Sequence, residues 1–218
     1  MTLKPWKDYL GPTLFCDRDD ARVKECSCGI SRHCRTEQEK AQAVFSFVRD
    51  EIAYRFDYPW RRASETLLRR SGNCFNKANL QIALLRALGV EAGYAVCLIT
   101  KEVFRPILPP EIFEMVSDPT IHVYCAVNIS GRWTSCDATI DQRLFDAVYS
   151  SREHWRHDRW DATTDLRLDP VFVVEEQGVY ANIDLCLGSP VKFWTDELLA
   201  KANGYLDFLT QPSGKGTR

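Results

Sequence analysis

Between residues 36 and 89, apolar side chains recur at intervals of three and four, the spacing of one helical face. Thr36 can cap the first such stretch and Glu39 can reach back to it, a reciprocal capping box. Ala43, Val44, Phe47, Val48 and Ile52 then share a face, predicting a helix that ends near Ile52. Tyr54 to Trp60 reads as an extended loop, and Ser64 can cap a short helix through Leu67 and Leu68 that ends at Gly72. A strongly apolar helix opens at Cys74, carries Leu80, Ile82, Ala83, Leu84, Leu85 and Leu88, and stops near Gly89. The pattern then changes. Ala92 to Thr100 is rich in strand formers, and Ile121 to Ile129 and Arg132 to Thr139 read as a hairpin turning at Ser130-Gly131. Between them, Phe104 to Pro119 holds four prolines and a short amphipathic piece, Glu111 to Val116, and reads as a loop insertion over a site. Ser150 to Leu168 is polar and aromatic, Val171 to Val174 is a further short strand, and Trp194 to Leu209 a terminal helix. Residues 1–35 read as an N-terminal arm with a short helix near Asp20 to Cys26, and 211–218 as a disordered tail. Helices followed by strands argue an α+β fold rather than alternating βαβ units.

The position of Cys74 gives this pattern chemical content. A thiol in the first turn of a helix meets unpaired backbone N–H groups and the positive end of the helix dipole. Both favour the thiolate, which is the nucleophile. If Ser130-Gly131 is a two-residue turn, Ile129 pairs with Arg132 and Asn128 with Trp133; further out, His122 lies opposite Thr139, and Asp137 opposite Tyr124. Side chains two apart on a strand share a face, so His122 and Asp137 become diagonal neighbours within hydrogen-bonding reach. The opposite face, with Ile121, Val123, Cys125, Val127 and Ile129, suits a core. Cys74, His122 and Asp137 are therefore the candidate catalytic residues: nucleophile, acid–base, and the group that orients the imidazole. The Cys74 N–H is a natural oxyanion donor, with Tyr54 and Trp60 as candidates for a second.

Composition narrows the partners. A net charge of −2 gives no electrostatic case for nucleic acid or an anionic membrane surface. No run reaches the roughly 18 apolar residues of a spanning helix, and the N-terminus lacks the apolar stretch of a signal peptide. Nine cysteines without such a signal read as reduced thiols in the cytoplasm. Cys97, Cys125 and Cys136 are expected in the core. Cys26, Cys28, His33 and Cys34 cluster, but their spacing is not that of common zinc modules and they read as free thiols. His154 and His157 read as surface residues, and Trp155 and Trp160, with the 104–119 insertion, as walls of a substrate pocket.

The stretches Ser71-Gly72-Asn73-Cys74 through Leu88-Gly89-Val90, and His122-Val123-Tyr124 through Gly131-Arg132-Trp133 to Cys136-Asp137-Ala138-Thr139, resemble the transglutaminase-like superfamily, closest to its small stand-alone bacterial members. That resemblance, over roughly Gln38 to Thr139, implies a papain-like arrangement: N-terminal helices, and a central Cys-bearing helix packed on an antiparallel sheet. It implies a single domain over 1–210, with a catalytic core at 36–140 and a C-terminal extension at 141–210. It also implies acyl transfer through a thioester on Cys74, with His122 and Asp137 as partners, and neither cofactor nor metal; no acidic loop matches the calcium sites of animal transglutaminases. Substrates would be a peptide, a small amide or an acyl thioester, carrier-protein thioesters included, resolved by hydrolysis or amide formation. A binding protein that keeps the scaffold without catalysis is the alternative. Asn76-Lys77 departs from the family pattern and has no assigned role, and the oligomeric state is left open.

Overall fold

The computed structural model describes residues 8–152, 155, 159–184 and 194–211. Expectations for His154, His157, Cys186 and residues 212–218 lie outside these. Asp20 caps α1 (Ala21–Ile30), which runs four residues further than the pattern suggests. The capping box at Thr36 and Glu39 is present and opens α2 (Glu37–Glu51). The buried stripe of α2 is Ala41, Val44, Phe45 and Val48, continuing to Ile52, while Ala43 and Phe47 are half-buried. The helix is rotated from its expected face because the Phe45 ring packs 5.7 Å from that of Trp160, which arrives from a distant segment.

Two residues act differently from their sequence reading. Ser64 does not cap α3 (Ala63–Arg69); it sits inside the first turn, where its N–H and hydroxyl donate to the Asp17 carboxylate. The helix ends at Arg70, in the left-handed region (φ 55°), and Gly72 belongs to a two-residue strand. That strand, β2 (Ser71–Gly72), pairs in parallel with β1 (Ala53–Tyr54). A Cβ on residue 72 would lie 2.5 Å from the Asn76 Cβ, so the strand can approach the following helix only with glycine there.

The helix that follows is α4 (Cys74–Ala87). The main sheet is antiparallel, in the order β5 (Arg132–Ser135), β4 (Thr120–Ile129), β3 (Ala92–Ile99), β6 (Val173–Tyr180). Ser130 and Gly131 both have positive φ (53° and 83°), the signature of a type I′ turn, and Ile129 pairs with Arg132 as expected. The ladder stops at Ser135 rather than reaching Thr139, because the Asp137 N–H turns away to the Leu166 carbonyl at 2.8 Å.

Both faces of the sheet are covered. On one, α1 to α4 pack against Tyr94, Val123, Cys125 and Val127. On the other, Ala95, Cys97, Ile99, Tyr124 and Ala126 pack against the insertion with its short α5 (Pro110–Phe113), the segment of α6 (Gln142–Leu144), and the terminal α7 (Asp196–Leu209). Ile121, expected in the core, is exposed at the rim. Because neighbouring elements cover most of α4, its polar residues are buried and reach carbonyls outside the helix. Asn79 donates to Phe15 O, Gln81 to Cys136 O, and Arg86 to Gly11, Ala92 and Ala181 O.

Candidate active site

The first turn of α4 is held by two asparagines. Asn73 caps the helix, accepting from the Asn76 N–H at 3.1 Å, and Asn76 Oδ1 accepts from the Asn73 N–H at 3.1 Å. Their amide groups then pin the preceding loop: Asn73 Nδ2 donates to Asp57 O (2.7 Å), and Asn76 Nδ2 to Tyr58 O (3.0 Å) and Pro59 O (3.2 Å). Cys74 is thereby fixed as the first helical residue, with its N–H among those that lack an intrahelical acceptor. Asn76, without a role by sequence pattern, is the second half of this cap.

Lys77 has an equally definite place. It is fully buried, and its ammonium donates to Ile52 O at 2.6 Å, at the end of α2. Burial lowers its pKa to about 8, against the opposing pull of Asp141, Asp137 and Asp50. Asp141 accepts from the Tyr54 N–H at 2.6 Å and caps α6 through the Leu144 N–H. Lys77 and Asp141 thus fix the backbone on either side of Ala53, and the β1–β2 ladder sets Tyr54 opposite Gly72. Tyr54 consequently lines the same two cavities as Cys74.

His122 and Asp137 meet as the register arithmetic requires, although by a different path. His122 Nε2 lies 2.8 Å from Asp137 Oδ2, and both side chains are buried. The second carboxylate oxygen accepts from the Thr139 N–H at 2.9 Å, so the bend that ends β5 also orients the acid. With Nε2 engaged by Asp137, Nδ1 is the ring nitrogen left to face Cys74. Burial opposes charge on the imidazole, but Asp137 and the Cys74 side chain outweigh it and raise the His122 pKa to about 10. Burial likewise acts against the Asp137 carboxylate, yet His122 and Thr139 hold it below its ordinary range. Burial, then Cys74 and Tyr149, push the Tyr54 phenol well above its usual value, so it remains a donor at neutral pH.

Two cavities adjoin the thiol. One, of about 20 Å³ and thus room for about one water, is bounded by Tyr54, Cys74, His122 and Asp137 among others. The other is an open groove of about 160 Å³ whose walls include Phe56, Phe104, Leu108, Val116 and Trp194. The insertion therefore borders the site, as expected, but Trp155 and Trp160 do not. Trp155 packs on Tyr149 (4.8 Å) and Trp160 on Phe45, and both are buried in the core. Trp60 stacks on Tyr58 at 4.8 Å and lines neither cavity. Phe56, Asp57 and Trp194 carry no periodic or motif signal that could have singled them out. Cys26, Cys28 and Cys34 are free thiols, and among the described residues no three His, Cys, Asp or Glu side chains gather as a metal site. No helix among the described residues is long and apolar enough to cross a membrane.

Fold and site together define an α+β scaffold that presents a helix-borne thiol beside a buried imidazole–carboxylate pair. The model of the transglutaminase-like superfamily matches residues 24–138, just over half of the chain, and the chain belongs to that superfamily. Among solved structures, one described as a "putative cysteine protease" from Cytophaga hutchinsonii is similar at 25% identity and a TM-score of 0.48, covering 60% of this chain and 40% of that one. A "putative protease" from Parabacteroides distasonis is similar at 13% identity and a TM-score of 0.38, covering 52% of this chain and 22% of that one. The chain thus spans less than half the length of either structure. None of the curated proteins matches it.

Proposed function

We propose that this protein is an acyl-transfer enzyme in which Cys74 attacks an amide or thioester carbonyl and carries the acyl group as a thioester. The observation that carries this reading is the 2.8 Å contact of His122 with Asp137 beside a thiol in the first turn of α4. In the attack, the sulfur–carbon bond forms as the carbonyl oxygen becomes an oxyanion. The Cys74 N–H donates to that oxygen, and we assign the second donor to the Tyr54 hydroxyl. The imidazolium of His122 protonates the leaving amine or thiolate from Nδ1, while Asp137 holds Nε2–H and stabilises the charged ring. Neutral His122 then takes a proton from the incoming water or amine, and collapse of the second tetrahedral species frees Cys74. No metal or cofactor enters this sequence.

Peptides and small amides are one class of acyl donor in this reading. Thioester donors, carrier-protein thioesters included, use the same steps with a better leaving group. The test is intact-mass detection of an adduct after exposure to activated acyl thioesters, together with iodoacetamide labelling. Cys74 should form the adduct and label faster than Cys26, Cys28 or Cys34, and Cys74→Ala should lose both adduct and turnover. Equal labelling of all accessible thiols, with no acyl adduct on a broad ester and thioester panel, would leave a non-catalytic binding scaffold as the better account.

A further inference from the structure

Resting on the reading of Cys74 as the acylated residue, we propose that the groove beside it selects acyl donors by an uncharged, apolar side chain about the size of one aromatic ring. The groove opens directly at Cys74 and encloses about 160 Å³. A cavity of about 150 Å³ is known to accept a benzene ring, so the volume fits one ring or a branched alkyl group.

The walls agree with the size. Phe56 anchors the inner side, its ring 5.3 Å from that of Trp194 and 6.4 Å from that of Phe104. Leu108 and Val116 of the insertion also line the groove, with the small polar Ser117 and Thr120 beside them, and Ile121, exposed at the start of β4, forms part of the lining. Flat aromatic walls favour an aromatic or branched group through offset ring contacts and burial of apolar area.

Among the described residues, one ionisable side chain other than Cys74 and the buried Tyr54 faces the groove, and it is already satisfied. Asp57 accepts from its neighbour's Tyr58 N–H at 2.7 Å, from Arg61 Nη2 at 3.1 Å, and pairs with Arg69 Nε at 3.3 Å. A cationic substrate side chain would have to compete with two guanidiniums for that carboxylate. An anionic one would be desolvated against aromatic rings, with no cation among the described residues of the lining. The selectivity is assembled by parts of the chain outside the nucleophile–imidazole–carboxylate set: the insertion, the loop after β1, and Trp194 just ahead of the terminal helix.

The test uses the full chain and N-acetylcysteamine thioesters of four acids: phenylacetic, isovaleric, 6-aminohexanoic and glutaric. In each, the Cys74 sulfur forms a bond to the carbonyl carbon, the N-acetylcysteamine sulfur–carbon bond breaks, and the departing thiolate takes a proton from His122. Acylation of Cys74 is followed by intact mass. The phenylacetyl and isovaleryl donors should react at least tenfold faster than the two charged ones. Val116→Glu, on the half-buried rim of the insertion, should slow the phenylacetyl donor and speed the 6-aminohexanoyl donor; iodoacetamide labelling, which involves no acyl side chain, reports whether the variant's thiol is still reactive. Equal rates for charged and apolar donors, or a preference for the glutaryl donor, overturn the selectivity while leaving Cys74 as nucleophile. No adduct from any donor overturns both.

Discussion

One face of the sheet rests on α2 and α4, helices of 15 and 14 residues whose N-terminal ends are closed by their own capping boxes. The other rests on turns of three to five residues in the insertion and around α6, with one long helix, α7, brought from the end of the chain. Each face buries an apolar cluster, but long capped helices supply most of the first, whereas short turns from separate segments supply much of the second. The site lies on the seam. Cys74 belongs to the regular layer, His122 points with Tyr124 toward the irregular one, and the groove is cut into the irregular layer. The division separates two tasks: a rigid helix start fixes the proposed nucleophile, and segments with less local structure shape the groove beside it.

The seam itself gives the largest expected effect. Asp137→Asn keeps the size of the side chain but removes the charge that holds His122 protonated, and it should lower kcat by about 10²- to 10⁴-fold. The alkaline limb of the pH–rate profile should move to lower pH at the same time. An unchanged profile would separate Asp137 from the chemistry and leave it a purely structural role.

Paired core deletions sharpen the contrast between the layers. Leu84→Ala, in the fully buried middle of α4, should cost about 2–5 kcal/mol of global stability and raise hydrogen exchange throughout. Phe113→Ala, in α5 of the insertion, should lower the global value less. Its effect should concentrate in faster exchange over residues 101–116 and a raised KM, because that segment can open without unfolding α4. Equal global losses from both variants would show that the layers unfold as one unit.

The smallest effect is a pH dependence in which the two buried bases oppose each other. The His122 pKa rises from 6.5 in an unfolded chain to about 10, so its stabilisation is complete below pH 6.5 and is lost as pH climbs toward 10. The Lys77 pKa falls from 10.5 to about 8, so above pH 8 the unfolded chain holds the extra proton and folding gains as pH rises. Urea unfolding should therefore show stability declining from pH 6.5 to 8, by at most about 1.4 kcal/mol per unit, and the decline easing above 8 as Lys77 offsets His122. His122→Gln should remove the decline, and Lys77→Met should let it continue past pH 8.

The sequence by itself determined the elements whose signals are local. The Thr36–Glu39 capping box, the helix opening at Cys74 and the two-residue turn at Ser130-Gly131 depend on neighbours within a few positions, so periodicity and turn chemistry suffice. Because that turn fixes the register as far as Ser135, the closeness of His122 and Asp137 could be worked out in advance, although the bend after Ser135 makes the contact itself. Only the tertiary structure decided the rest. Lys77, Asn79, Gln81 and Arg86 look like the polar positions of a surface helix, and they are buried because α1, α2, α3 and the sheet close around α4 and distant carbonyls meet each. The groove is equally illegible along the chain: Phe56, Phe104, Val116 and Trp194 come from three separate segments, and no local pattern records that folding stacks them over one sulfur.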